Sequence, residues 1–347
     1  PMPTLAQDGA SLLIQAKDTL LASPPVLFFF LGAFAALVKS NLSVPKPVTK
    51  LLSLYLLWAI GFKGGVELTH SGLTPAALKA VAAGIGLACI VPLYTFFILR
   101  RMVSLPNAAA LAATYGSISA VTFMACSTVL EARGIPFGGH MVAVMALMES
   151  PAIVIAVVLL RRAQKAEEAN SPLAPLPEEA AKRKPSAGWG KLLHEAFLNG
   201  AVIVLLGSLL IGILTGDRGY ATFKPLAGDV FPGVLVFFLL DLGLLAARRT
   251  KDLRAAGWKV VALGIVIPLL NALLALLIVR ALHMPRGDAI LLITLASSAS
   301  YIAVPAAVRL IIPQATPGLY VPMALAVTFP FNIAIGIPLY ISLVPAS

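Results

Sequence analysis

Charge is the scarcest commodity in this chain. Of 347 residues only 12% are Asp, Glu, Lys or Arg, while 59% are hydrophobic; soluble domains average about 25% charged and about 45–50% apolar. That shortage, with a mean hydropathy of +0.93, excludes a water-soluble globule and places most of the chain in lipid. Cysteine is nearly absent as well. Cys89 and Cys126 both lie in apolar stretches, so neither a disulfide framework nor a thiolate metal site is expected. The four histidines (His70, His140, His194, His283) fall at segment ends without metal-ligand spacing and read as exposed interfacial residues. A nucleophile elbow, a Walker loop and a paired intramembrane acid dyad are all missing, so an enzyme is not expected. Residues 4–24 lack the basic start, apolar core and small-residue end of a secretory signal; 11–21 reads as a short amphipathic interfacial segment. Pro1, ahead of Met2, is set aside.

Long apolar runs are what the chain does have. A spanning helix needs about 20 mostly apolar residues, and ten segments qualify: 24–38, 51–68, 78–99, 107–130, 138–160, 196–215, 232–247, 260–281, 288–311 and 319–343. The net charge of +11 does not point to nucleic acid, because the basic residues sit in the short loops between these segments. Eighteen Lys/Arg follow the odd-numbered helices and seven lie on the other side, with Lys63 inside helix 2. By the positive-inside rule the loops after odd-numbered helices, including 161–195, are cytoplasmic and both termini are outside. Segment 161–195 is the one long polar stretch. Pro172, Pro175, Pro177 and Pro185 make it a linker between two halves, 2–160 and 196–347, with basic ends suited to anionic lipid.

The halves are similar. Met145-Ala146-Leu147 leads to Glu149-Ser150-Pro151, and Met323-Ala324-Leu325 leads to Thr328-Phe329-Pro330. Five helices is an odd number, so the second half enters the membrane from the opposite face. The expected architecture is therefore all-α and polytopic, two inverted five-helix repeats with helices 4 and 9 broken. Inverted repeats with weakened helices at matching places point to a secondary transporter with a midplane site. The weak points are Gly116, Ser117, Ser119 and Thr122 in helix 4, and Ser297, Ser298 and Ser300 in helix 9. Broken helices aim N–H groups at an anion and carbonyls at a cation. Glu149, beside Pro151 in helix 5, is a mid-bilayer carboxylate, which costs about 2.5 kcal/mol or more and is functional by default. With Thr122, Thr328 and Asn332 it supplies oxygen ligands for a hard cation, Na⁺ or H⁺. Lys63 and Glu67 stand four apart and are expected to pair; Asp241 is a second possible partner for Lys63. Asn271, after Pro268, reads as a polar contact between helices. From the residues alone, three readings stay open: cation-coupled symport of a small anion, cation/proton antiport through Glu149, and a regulatory membrane protein docked through 161–195.

Several segments, in their order and spacing, resemble the sodium-dependent bicarbonate transporter family of the SbtA type. They are Ile60-Gly61-Phe62-Lys63-Gly64-Gly65, Tyr115 through Phe123, Leu147-Met148-Glu149-Ser150-Pro151-Ala152, Ala296 through Ser300, and Gly336-Ile337-Pro338-Leu339-Tyr340. The resemblance covers nearly the whole chain. It implies a gate domain from helices 1, 2, 6 and 7 and a core domain from helices 3–5 and 8–10. It also implies elevator-type Na⁺/bicarbonate symport in the inner (plasma) membrane, a homotrimer, and regulation of cyanobacterial members by a PII-like protein. No cofactor beyond Na⁺ as coupling ion is implied. Where cyanobacterial members carry Asp ahead of the helix 5 Pro-Ala, this chain has Glu149. Where they close the helix 9 serine run with Asp, it has Ser300.

Overall fold

The structure is a computed structural model that describes residues 24–72, 74–170, 200–253 and 257–344. It is 84% helix, with no strand among the described residues. Among the described residues seven helices are long and apolar enough to cross a membrane, and Pro24–Leu37 is a shorter apolar one. The interfacial segment expected at 11–21, His194 and most of the linker lie outside the described residues. Within the segment expected to be the linker, 161–170 continues the helix Pro151–Asn170.

Helices α1 (Pro24–Leu37), α2 (Lys46–Ser71), α8 (Gly200–Lys224) and α9 (Phe231–Leu253) pack chiefly as two pairs, α1 on α9 and α2 on α8. Lipid gives no hydrophobic drive between helices, so small residues that let backbones approach do the work. A Cβ on Gly32 would lie 2.0 Å from the Leu240 carbonyl oxygen, and one on Gly243 equally close to that of Phe29. Gly65 and Gly212 play the same part between α2 and α8. Gly216, at φ 52°, kinks α8, and a π turn at Pro225–Asp229 returns the chain to α9.

The second group is built around α3 (Pro75–Leu99) and α10 (Trp258–Leu282). Each is apolar all round, so burial rather than pattern separates its faces. Ala80, Leu87, Val91 and Phe96 of α3 turn inward, while Leu78, Ile90, Leu93 and Phe97 stay exposed as a lipid-facing side. Between these helices lie short ones: α4 (Leu105–Gly116), α5 (Ala120–Ala132), α6 (His140–Met148), α7 (Pro151–Asn170), α11 (Arg286–Ser297) and α12 (Ala303–Ile311). Helices 4 and 9 of the sequence reading are thus each two half-helices, as expected. Helix 5 is also interrupted, at Glu149–Ser150, where Pro151 cannot donate to the turn before it. The final helix, α13 (Pro317–Leu343), keeps its course but relaxes into π turns at Met323–Thr328 and Asn332–Gly336, flanking Pro330.

Candidate functional site: the crossing of two broken helices

From Ala108 to Gly116 every residue of α4 is buried, and so is every residue of α11 from Gly287 to Ser297. Both half-helices end at the centre of the molecule. Ser117 (φ −90°, ψ −178°) and Ser298 (φ −80°, ψ 173°) turn the chain into extended backbone there. After the breaks, α5 and α12 start from the same place. The two breaks hold each other directly: Ser300 N donates to Thr114 O at 2.9 Å, and Ser119 N donates to Ser298 Oγ at 2.8 Å.

Side chains close the carbonyl ends. Asn271 of α10 is fully buried and donates from Nδ2 to Ala296 O at 2.8 Å and to Tyr115 O at 3.3 Å, spanning both half-helix C-termini. Its Oδ1 accepts from the Tyr94 hydroxyl of α3. Asn332 Nδ2 donates to Ser297 O at 2.8 Å, and Asn332 Oδ1 accepts from Tyr340 at 2.9 Å. Thr328 Oγ1 donates to Gly264 O at 2.7 Å and lies 3.1 Å from the Tyr115 hydroxyl. A helix leaves its last carbonyls without intrahelical donors; here α10 and α13 supply them.

The N-terminal ends are treated differently. Ser119 Oγ caps the Thr122 amide at 3.2 Å, and Ser300 Oγ caps that of Val304 at 3.2 Å. The other first-turn amides of α5 and α12 have no intrahelical acceptor, and these turns border a cavity of about 50 Å³. Ser119, Ser300, Tyr301 and Glu149 line it from one side, with Ser53, Leu57, Ala201 and Leu205 of α2 and α8 on the other. The cavity therefore sits between the two helix groups. Room for one water takes about 10–15 Å³, so a small ion with little hydration would fit.

Of the six residues expected to hold an anion, Ser119 and Ser300 line the cavity. The hydroxyls of Ser117, Ser297 and Ser298 donate to Glu149 O at 2.9 Å, Thr294 O at 3.1 Å and Leu295 O at 2.7 Å. Gly116 is needed for packing, since a Cβ there would lie 2.3 Å from Pro92. Of the four expected cation residues, Glu149 lines the cavity, Thr122 is buried in the first turn of α5, and Thr328 and Asn332 stand on the closed, carbonyl side. Groups of three or more His, Cys, Asp or Glu that could hold a metal do not occur among the described residues.

Several charged residues differ from expectation. Lys63, expected to pair with Glu67 one turn away, has a partner in another helix: its Nζ lies 2.5 Å from Glu131 Oε1 of α5. That pair lines a second cavity, about 80 Å³, between α2 and α5. Asp241 does not meet Lys63; it accepts from Thr49 Oγ1 at 2.6 Å. His140 is buried rather than interfacial. Its Nε2 lies 3.2 Å from Oδ2 of the buried Asp288, near enough for an ion pair when protonated but not aligned as a hydrogen bond. Asp288 Oδ1 accepts from Gly138 N at 2.7 Å. His70, by contrast, is exposed and faces Asp217 at 2.8 Å. Neither Glu131 nor Asp288 stands near its partner in sequence, so no local spacing announces either pair.

The structure is thus an apolar multi-pass helical protein with two broken helices that meet at a small cavity. Residues 24–345 match the family model of the Na⁺-dependent bicarbonate transporter superfamily, and the chain belongs to that superfamily. Comparison with curated proteins returns no match.

Proposed function

We propose that this permease is a Na⁺-coupled bicarbonate symporter that works by elevator-type alternating access. The observation that carries the proposal is the shared cavity, where two half-helix N-termini and Glu149 meet. Each helix N-terminus carries roughly half a positive charge and suits an anion. A carboxylate in the same cavity repels that anion, by about 4 kcal/mol for unit charges 4 Å apart at an effective dielectric constant of about 20. A cation held with Glu149 removes the repulsion. Neither ion then binds well alone, and that mutual need is the coupling. The anion is held among Gly116, Ser117, Ser119, Ser297, Ser298 and Ser300, with Ser119 and Ser300 foremost. Na⁺ is held by Glu149, with Thr122, Thr328 and Asn332 as neutral oxygen ligands.

The wider frame is ten spanning helices in two inverted repeats, 2–160 and 196–347, joined by a cytoplasmic linker at 161–195, with both termini outside. The helix pairing supports it. If α1 is equivalent to α8 and α2 to α9, the α1–α9 and α2–α8 packings are one contact seen twice. The gate is α1, α2, α8 and α9, and the core is the rest. Leu57 and Leu205 give the core an apolar wall to slide against while it carries both ions. A homotrimer and a PII-like regulator on the cytoplasmic side complete the proposal on family grounds. Purified protein in liposomes should accumulate labelled bicarbonate under an inward Na⁺ gradient and not under a K⁺ gradient. Equal uptake under both would overturn Na⁺ coupling, and Na⁺-driven uptake of other anions but not bicarbonate would overturn the substrate. Efficient labelling of a cysteine at Ser186 from outside intact cells would reverse the orientation.

A further inference from the structure

One polar atom at the crossing has no partner. Tyr301 is 8% exposed, and its hydroxyl makes no hydrogen bond. The Ser119 side chain is a polar neighbour, but at a geometry that completes no bond. A buried hydroxyl left unpaired weakens the fold, and phenylalanine would pack there without that cost. Tyr301 follows the serines of the second break and lines the same cavity as Ser119, Ser300 and Glu149. Its ring is held edge-on against Phe329 of α13 at 5.5 Å, and Phe329 is edge-on to Phe29 of α1 at 5.1 Å. The ring is thus fixed by packing, and the hydroxyl is kept near Ser119 at the start of α5.

We infer that Tyr301 is a specificity-determining residue whose hydroxyl donates a hydrogen bond to a small oxyanion in the cavity, completing the cradle begun by the α5 and α12 amides. The inference rests on the reading of this cavity as the anion site. A phenol suits the task because it is a neutral donor. It recognises an acceptor oxygen without adding a positive charge that would compete with the cation at Glu149.

The test is Tyr301→Phe in the full chain, with melting in Na⁺ and uptake into liposomes read together. Without bicarbonate the variant should melt at or above the wild-type temperature, because no protein bond is lost. The bicarbonate concentration for half-maximal uptake should rise about tenfold, the worth of one hydrogen bond to a charged group, while the Na⁺-induced rise in melting temperature without bicarbonate is unchanged. Wild-type half-saturation by bicarbonate overturns the inference. So does a fall of several degrees in the anion-free melting temperature, or failure to recover folded protein, since either means the hydroxyl bonds to the protein. Absence of Na⁺-driven bicarbonate uptake in the wild type would instead remove the functional reading itself, and the inference with it.

Discussion

The two sides of the helix crossing are built on opposite plans. Where α4 and α11 end, the carbonyls of Thr114, Tyr115, Ala296 and Ser297 each receive a donor from another element. Where α5 and α12 begin, serines cap one amide each and a cavity takes the remaining space. One side is closed by protein and the other opens on the cavity, which the proposed function gives to a ligand. Unmet polar groups cost more in lipid than in water, so a protein leaves them open only where something else fills the place. The closed side should therefore govern stability and the open side ion binding.

Asn271→Ala is the strongest way to break that division. It strips donors from two half-helix ends and the acceptor from Tyr94. At about 1–3 kcal/mol for each buried group left unpaired, the loss should be roughly 3 kcal/mol or more. Melting in detergent should fall by many degrees, or folded protein should not be recovered. Near-normal stability with altered ion binding would mean that the closed side is not the structural one.

Glu149→Gln, on the open side, should do the reverse. It keeps the shape and removes the charge. Folded yield should be near wild type, while the Na⁺ concentration for half-maximal uptake should rise about tenfold or more, since a hard cation gains far more from a full charge than from neutral oxygens. Unchanged Na⁺ dependence would move the cation toward Thr328 and Asn332 on the closed side. Ser300→Ala sharpens the contrast with a smaller effect. It removes the cap on Val304, worth about 1 kcal/mol, and one hydroxyl of the cavity. Half-saturating bicarbonate should rise a few-fold with a melting drop of only a few degrees, and a collapse of the fold would place Ser300 among the structural groups.

Much of this arrangement is legible in the sequence. The Gly-Ser-Ile-Ser run after Tyr115 and the serines after Ala296 mark both breaks, because small hydroxyl residues replace the apolar ones a spanning helix needs. Glu149 stands out as a carboxylate in an apolar run, and Pro151 beside it accounts for the interruption the structure has at Glu149–Ser150. What escapes is everything that depends on distant partners. The i,i+4 rule points only to Glu67, and nothing local announces that the Lys63 ammonium also reaches Glu131 in another helix. Asn271 reads as a generic interhelical contact; only the folded chain brings Tyr115 and Ala296 to the same amide. His140 stands at a helix start, where exposure is the usual expectation, yet Asp288 meets it under cover. Tyr301 escapes too, since an unpaired hydroxyl has no signature in sequence. Such relations are set by packing between helices whose lipid and protein faces are equally apolar, and hydropathy cannot tell those faces apart.

Reciprocal affinity is the most direct test of the central claim, that one cavity holds an anion beside Glu149 only in company with a cation. On purified wild-type protein, half-saturating bicarbonate is measured at low and high Na⁺, and half-saturating Na⁺ at low and high bicarbonate. Linkage requires the same factor in both directions, and couplings of this kind run about 5–150-fold. The account predicts tighter binding of each ion in the presence of the other by an equal factor, reduced toward one in Glu149→Gln. Affinities that do not respond to the second ion, or a coupling that survives intact in Glu149→Gln, would contradict it.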